Sequence, residues 1–454
     1  MSLLIKLVSF AFAIGLLVAF HELGHYWVAR LCNVKVLRFS LGLGKPLYSR
    51  RIGKDQTEWA VAAFPVGGYV KMLDEREGDV DASEAHRAFN RQSVGKRFAI
   101  VVAGPIANFL LAIFLYWALF IAGVPGVKPY IASPPVGSPA ARAGLQNGDL
   151  VRKLNDKEVN SWQDLRWMLL HQGMKDRQMT LEVETSTGVT ALRSLNVSAP
   201  DGAEIESNFL ETVGLSPYRV SLKPQVGRVL EGSVAEAAGL KADDFIVSVD
   251  DKPIATWEAF VEIVRASPEK RLSLLVKRGE ETKEITLRPA QATENQRPVG
   301  RIGTYPFIDE TQFEYLKTVD KYPVDEALVK ALDKVWETSV LSLKMLGKMI
   351  TGGVSWKNLS GPITMADYAG QSAQLGWQSY LTYLALISLS IGVLNLLPIP
   401  LLDGGHLMYY MAEIIKGSPV SQHAMEIGSS IGFVLLFGLM AFAFYNDINR
   451  LLTG

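Results

Sequence analysis

Five consecutive residues carry the strongest chemical signal in the chain: His21-Glu22-Leu23-Gly24-His25. On a helix, positions i and i+4 share a face, so both imidazoles can reach one metal ion. Glu22 then stands beside a metal-bound water, placed to take its proton, and zinc lowers the pKa of such a water to about 7. By chance alone the pattern arises in a chain of this length on the order of once per hundred sequences. Its location sharpens the signal, because it closes an apolar run where ionisable groups are costly and functional by default. Histidines that merely pair with lipid headgroups or a neighbouring helix are the plainer alternative.

Two histidines are too few for a catalytic zinc, and a third protein ligand is expected. The best candidate is Asp403, within Asn395-Leu-Leu-Pro398-Ile-Pro400-Leu-Leu-Asp403-Gly404-Gly405-His406. The prolines stop a helix and the glycines let the chain turn back, so irregular backbone here lines a polar cavity. His406 is the competing ligand, and chemistry alone does not exclude it. His86, His171 and His423 lie in polar surroundings and read as ordinary surface histidines. The single cysteine, Cys32, provides neither a disulfide nor a thiolate ligand set.

The chemistry must be positioned by apolar elements. The 454 residues are 48% hydrophobic yet 20% charged, a mosaic of apolar spans and soluble domains. With 46 basic and 46 acidic residues there is no general pull towards nucleic acid. Four runs are long enough to cross a bilayer, which takes about 20 residues. They are Leu3 to about Phe20, continuing in helical pattern to Arg30; Phe98–Val124; roughly Trp377–Leu397; and Ile427–Phe444. No small-residue cleavage site closes the first run, and Tyr26, Trp27 and Arg30 follow as at an interface, so it is a span and not a signal peptide. His21 lies about 18 residues into it, roughly 27 Å deep, near the far interface. The two motifs close spans one and three, which run parallel, so both emerge at the same membrane face.

Between spans two and three lies an internal repeat. Gly137-Ser-Pro-Ala-Ala-Arg-Ala-Gly-Leu145 is matched 95 positions later by Gly232-Ser-Val-Ala-Glu-Ala-Ala-Gly-Leu240. The register holds onward: Asp149 matches Asp244, Asp156-Lys157 matches Asp251-Lys252, and Trp162 matches Trp257. Each copy implies a short Ala-rich helix stopped by glycine, a β run, an Asp-Lys turn and an amphipathic helix. This resembles a tandem pair of PDZ domains of the bacterial protease type. Beyond it, Tyr322–Ile350 has apolar residues at helical spacing interrupted by lysines, the pattern of a helix lying on a membrane surface.

Taken together, these motifs make the chain resemble the site-2 protease family of intramembrane zinc metalloproteases (M50 type) over nearly its whole length. The fold implied is a polytopic α-helical membrane protein with four transmembrane helices and two inserted α+β PDZ domains. Its expected parts are the first span with the His-Glu motif (1–30), a cytoplasmic loop with a membrane-associated β element (31–97) and the second span (98–124). There follow the PDZ domains (125–220 and 221–308), a membrane-surface amphipathic segment (309–375), the third span with Leu-Asp-Gly (376–405), and a loop with the fourth span (406–454). The resemblance implies Zn2+ held by His21, His25 and Asp403, Glu22 as general base, and Asn395 holding the substrate backbone. It further implies a single-span membrane substrate of the anti-sigma factor type, and remnant signal peptides.

Basic residues set an orientation. Arg30, Lys35, Arg38, Arg91, Lys96 and Arg97 flank the first loop, whereas Lys128 is alone beyond span two. The positive-inside rule puts that loop in the cytoplasm, the active site near the cytoplasmic face of a bacterial inner membrane, and the PDZ pair in the periplasm. The run Thr57–Leu73 is β-prone and broken by Pro65 and Gly67-Gly68, which reads either as a short hairpin dipping into the interface or as a small β element covering the catalytic helix; the family resemblance implies a membrane re-entrant β element beside the active site. Two other function classes are a metal-dependent transporter and a catalytically silent membrane-anchored PDZ scaffold; the base Glu22 argues against the scaffold. What the PDZ grooves bind is not legible.

Overall fold

The computed structural model describes residues 3–173, 178–196, 210, 212–294, 297–352, 356 and 359–453. The chain divides into two units, one formed by residues up to Val124 and from Lys321 onward, the other by Pro125–Asp320.

In the first unit, helix α1 (Leu3–Leu31) is an almost unbroken apolar run that carries Arg30 in its last turn. Helix α2 (Val94–Ala122) ends where Gly123 turns the backbone to φ 104°. After α3 (Val324–Ile350) and α4 (Pro362–Leu375) come α5 (Trp377–Asn395), α6 (Asp403–Lys416) and α7 (Gln422–Thr453). Among the described residues α1, α2, α5 and α7 are long and apolar enough to span a bilayer. Ala13 and Leu17 of α1, Leu111, Ala112 and Leu115 of α2, and Leu384, Ala385 and Leu389 of α5 form their shared core. Hydroxyls tie the same helices: Tyr380 donates to Ser9 O at 2.6 Å and Ser388 to Asn108 O at 2.8 Å.

The segment expected to be one surface stretch, 309–375, divides in two. Helix α3 lays Ala327, Ala331 and Val335 inward and packs along α2, with Lys330 buried over the Tyr322 ring, 4.3 Å from its centroid. Helix α4 instead packs against α1, α5 and α7. Its small residues, Ala369 and Gly370 among them, give no apolar stripe to detect yet permit close approach. Its N-terminus is held by Asp447 of α7, which is 1% exposed. That carboxylate accepts from the backbone N–H groups of Gly361, Ile363 and Thr364 and from the Thr364 hydroxyl. One side chain thus satisfies donors that the first turn of a helix leaves open.

The hairpin expected within Thr57–Leu73 is not formed. Residues Thr57–Met72 are one strand, β2, paired with β1 (Val36–Ile52), and the turn lies between Ile52 and Thr57, with Gly53 and Gln56 at positive φ. Residues Arg38–Leu41 face partners on both sides, Glu58–Val61 on one and Gly68–Lys71 on the other. The two long strands therefore fold into four segments in the order 46–52, 57–62, 36–41, 68–72. Gly42 and Gly44, at φ 89° and 93°, bend the chain between the halves of β1. Tyr26 and Ala29 of α1, Ile100 of α2, and Val36 and Phe39 of the sheet make one core, so the sheet is seated on the helix pair.

In the second unit the sequence repeat becomes a repeat of form. Leu150–Leu154 pairs with Lys157–Glu158 and with Gln178–Glu184, which pairs with Thr190–Asn196. Phe245–Val249, Lys252–Pro253, Leu272–Arg278 and Glu281–Leu287 pair in the same way. Matched residues do matched work. Ser138 and Ser233 cap their short helices by accepting from Ala141 N and Glu236 N. Asp149 and Asp244 accept from Gln146 N and Lys241 N, both at 2.9 Å. Asp156 and Asp251 take the left-handed turn position at φ 66° and 63°. Trp162–Gly173 and Trp257–Arg265 are the helices that close the two cores.

Asp447→Ala removes the acceptor shared by the N–H groups at the start of α4. A loss on the order of 2–4 kcal/mol is expected, read as a lower unfolding temperature in detergent, whereas Asp447→Asn retains part of the cap and should fall between.

Candidate metal centre

Three side chains from two distant parts of the sequence converge. His21 and His25 project from one face of α1, and Asp403 stands at the first residue of α6. His21 Nε2 and His25 Nε2 lie 3.2 Å apart, and Asp403 Oδ2 lies 3.2 Å from the first and 3.6 Å from the second. Among the described residues this is the group of His, Cys, Asp and Glu with one ligand atom each within 4.8 Å of the others. Asp403 Oδ2 is buried and receives no hydrogen bond. Burial raises the Asp403 pKa, but the adjacent imidazoles outweigh it and hold the carboxyl at about 2, ionised at neutral pH. Two ring nitrogens and an orphaned carboxylate oxygen aimed at one point suit a divalent metal bound by nitrogen and oxygen, with a coordination place left over.

Close backbone approach makes this possible. A Cβ on Gly24 would lie 2.3 Å from Ala103 O, and one on Gly104 would lie 2.3 Å from His25 Nε2 and 2.8 Å from His21 Cε1. So α1 and α2 approach closely at these glycines, and both imidazoles, their planes 84° apart, reach the α2 backbone at Gly104. The rings are also held from behind: His25 Nδ1 donates to Ile100 O at 2.8 Å, and the Asn108 carboxamide is 3.3 Å from His21 Nδ1. Sequence reading missed Gly104 and Asn108, although a glycine and a carboxamide inside an apolar span are a signal.

Asp403 is delivered by a tight loop. A Cβ on Gly404 would meet Leu397 O at 2.1 Å, and one on Gly405 would meet Ile399 O at 2.6 Å, so residues 397–402 curl back onto the start of α6. Leu401 sits at φ 87°. From the other side, α7 lets the loop in at Gly432, where a Cβ would lie 2.1 Å from Pro400 O. An Arg97–Glu413 ion pair at 2.6 Å, largely buried, ties α6 to the start of α2.

Glu22 is 8% exposed and faces the sheet, where a Cβ on Gly68 would lie 3.0 Å from Glu22 Cγ. The edge segment 68–72 therefore runs directly over the glutamate. Asn395 is the last residue of α5, half-buried, and its carboxamide makes no hydrogen bond among the described residues. His406, one turn beyond Asp403, is exposed and outside the cluster of three. His86 and His423 are exposed, and the His171 side chain lies outside the described residues.

Gly104→Ala adds one methyl group within contact distance of both rings. Metal content of the purified chain should fall at least tenfold, whereas Gly95→Ala, whose Cβ meets nothing within 4 Å, leaves it unchanged.

The sequence model of peptidase family M50 matches residues 9–439. Regulator of sigma-E protease RseP of Escherichia coli K12 is 42% identical, covering 99% of this chain and 100% of its own. RseP of Salmonella typhimurium 14028s is 41% identical over the same shares. A Neisseria meningitidis protein provisionally named a zinc metalloprotease is 41% identical, covering 98% of this chain and 99% of its own. Of solved structures, the PDZ domain of an SdrC-like protein of Listeria innocua matches 19% of this chain and 96% of its own, at 20% identity and a TM-score of 0.17. With the family model and these relatives matched along almost all of its length, the chain belongs to peptidase family M50 and is an integral-membrane metalloprotease.

Proposed function

We propose that this chain makes the site-2 cut in single-span membrane proteins, chiefly an anti-sigma factor in an envelope stress response, and also cuts remnant signal peptides. The observation that carries the reading is the convergence of His21, His25 and Asp403 beside Glu22 at the end of a spanning helix. In this reading the three hold Zn2+, which when bound supplies a Lewis acid and a water of lowered pKa. Glu22 takes the proton of the attacking water and passes it to the leaving amine. Asn395, with a carboxamide free to donate and accept, holds the substrate backbone. A peptide bond in a helix has its carbonyl engaged, so the substrate must first unwind; the edge segment 68–72 beside Glu22 offers it strand pairing instead. The basic residues of the first loop support an inner-membrane location with this site near the cytoplasmic face and the PDZ domains in the periplasm. There the PDZ pair acts as a filter against substrates whose external domain is still intact.

Three measurements test this. Glu22→Gln should lower cleavage of a co-expressed single-span substrate by about 10²–10⁴-fold while zinc content stays at the wild-type level. Asp403→Ala should lose zinc and His406→Ala keep it; the reverse pattern would transfer the ligand role to His406. Gly or Pro near the substrate's cytoplasmic end should speed cleavage and a Leu-rich replacement slow it; equal rates would rule out strand binding. Separately, deleting Pro129–Phe307 should admit substrates with an intact external domain. If cleavage stops for trimmed and untrimmed substrates alike, the filter role is wrong.

A further inference from the structure

For an imidazole to present a lone pair at Nε2, its proton must sit on Nδ1. In His25 this is settled by the 2.8 Å contact of Nδ1 with Ile100 O, an atom that can only accept. In His21 the neighbour of Nδ1 is the Asn108 carboxamide at 3.3 Å, whose oxygen and nitrogen exchange by a half-turn. With Nδ2 towards the ring, Oδ1 is left buried without a partner and the ring proton is driven to Nε2, into the point where the ligand atoms meet. With Oδ1 towards the ring, the orphaned oxygen accepts from Nδ1–H and Nε2 keeps its lone pair.

We propose that Asn108 is a positioning residue that fixes His21 in the tautomer able to bind metal, as the Ile100 carbonyl does for His25. The inference rests on reading His21, His25 and Asp403 as the metal site. Three observations carry it beyond a simple packing role. Asn108 is 0% exposed within a spanning helix, where an idle carboxamide is costly. Its tie to α5 runs through its backbone carbonyl and Ser388, so the side chain is not what joins the helices. Ile100, Gly104 and Asn108 are spaced i, i+4, i+8 on α2, and they meet the i, i+4 pair His25 and His21 of α1 as a matched stripe.

The test uses the full chain in detergent, with zinc affinity measured by chelator competition in wild type, Asn108→Leu, Asn108→Asp and Ser388→Ala. The Leu variant, similar in volume but with no acceptor, should bind zinc 10–100-fold more weakly. The Asp variant keeps an acceptor and cannot donate through an ionised carboxylate, so it should bind at least as tightly as wild type. Ser388→Ala removes the tie between helices and should leave affinity unchanged. Wild-type affinity in the Leu variant overturns the inference, and so does weak binding in the Asp variant even if the Leu variant does not fold. Failure of the wild type to bind zinc overturns the metal reading itself and is distinguished by that control.

Discussion

The proposed metal centre depends on two helices touching backbone to backbone. At Gly24 and Gly104 there is no room for a methyl group: the Ala103 carbonyl and Ala107 methyl fill the space at the first, and the two imidazoles fill it at the second. Dispersion across so short a distance supports helix association in a bilayer, where the hydrophobic effect gives none. The same closeness lets α2 reach both rings with groups of its own. Ligand geometry and helix packing are therefore one contact, and neither can be loosened without the other.

Asp403, the proposed third ligand, needs the same device used twice more. Gly404 and Gly405 let the Pro398–Leu402 loop fold onto α6, and Gly432 lets α7 press on Pro400 from the far side. An aspartate on a free loop would sample many positions; here backbone carbonyls confine it. The site is built from rigid elements and from a loop made rigid by glycine, a residue more often associated with freedom.

The parts of this design that were plain in the sequence are those set by short-range periodicity. The i, i+4 histidines, the four apolar runs and the repeat of Ser, Asp and Trp positions all follow from spacing alone. The sheet of β1 and β2 was misread, because the break at Pro65 and Gly67-Gly68 looks like a turn. It serves instead to pass one strand from one side of Arg38–Leu41 to the other, a long-range pairing that local propensity cannot express. Helix α4 escaped notice for a related reason: it is held by Asp447 from α7 and by small residues, not by an apolar stripe. Asn108 was visible as a polar residue in a span, but its partner, His21, is 87 positions away.

The order in which the chain is made has a bearing on the Pro400–Gly432 contact. His21 and His25 leave the ribosome 378 residues or more before Asp403, and the loop that carries Asp403 is pressed from its far side only when Gly432 arrives after it. Through synthesis of both PDZ domains the helix pair holds two of the three proposed ligands. A nascent chain inserted in the membrane next to other unfinished proteins is thus unarmed. On the proposed ligand set, proteolytic competence is acquired at the end of biogenesis, by the docking of a helix.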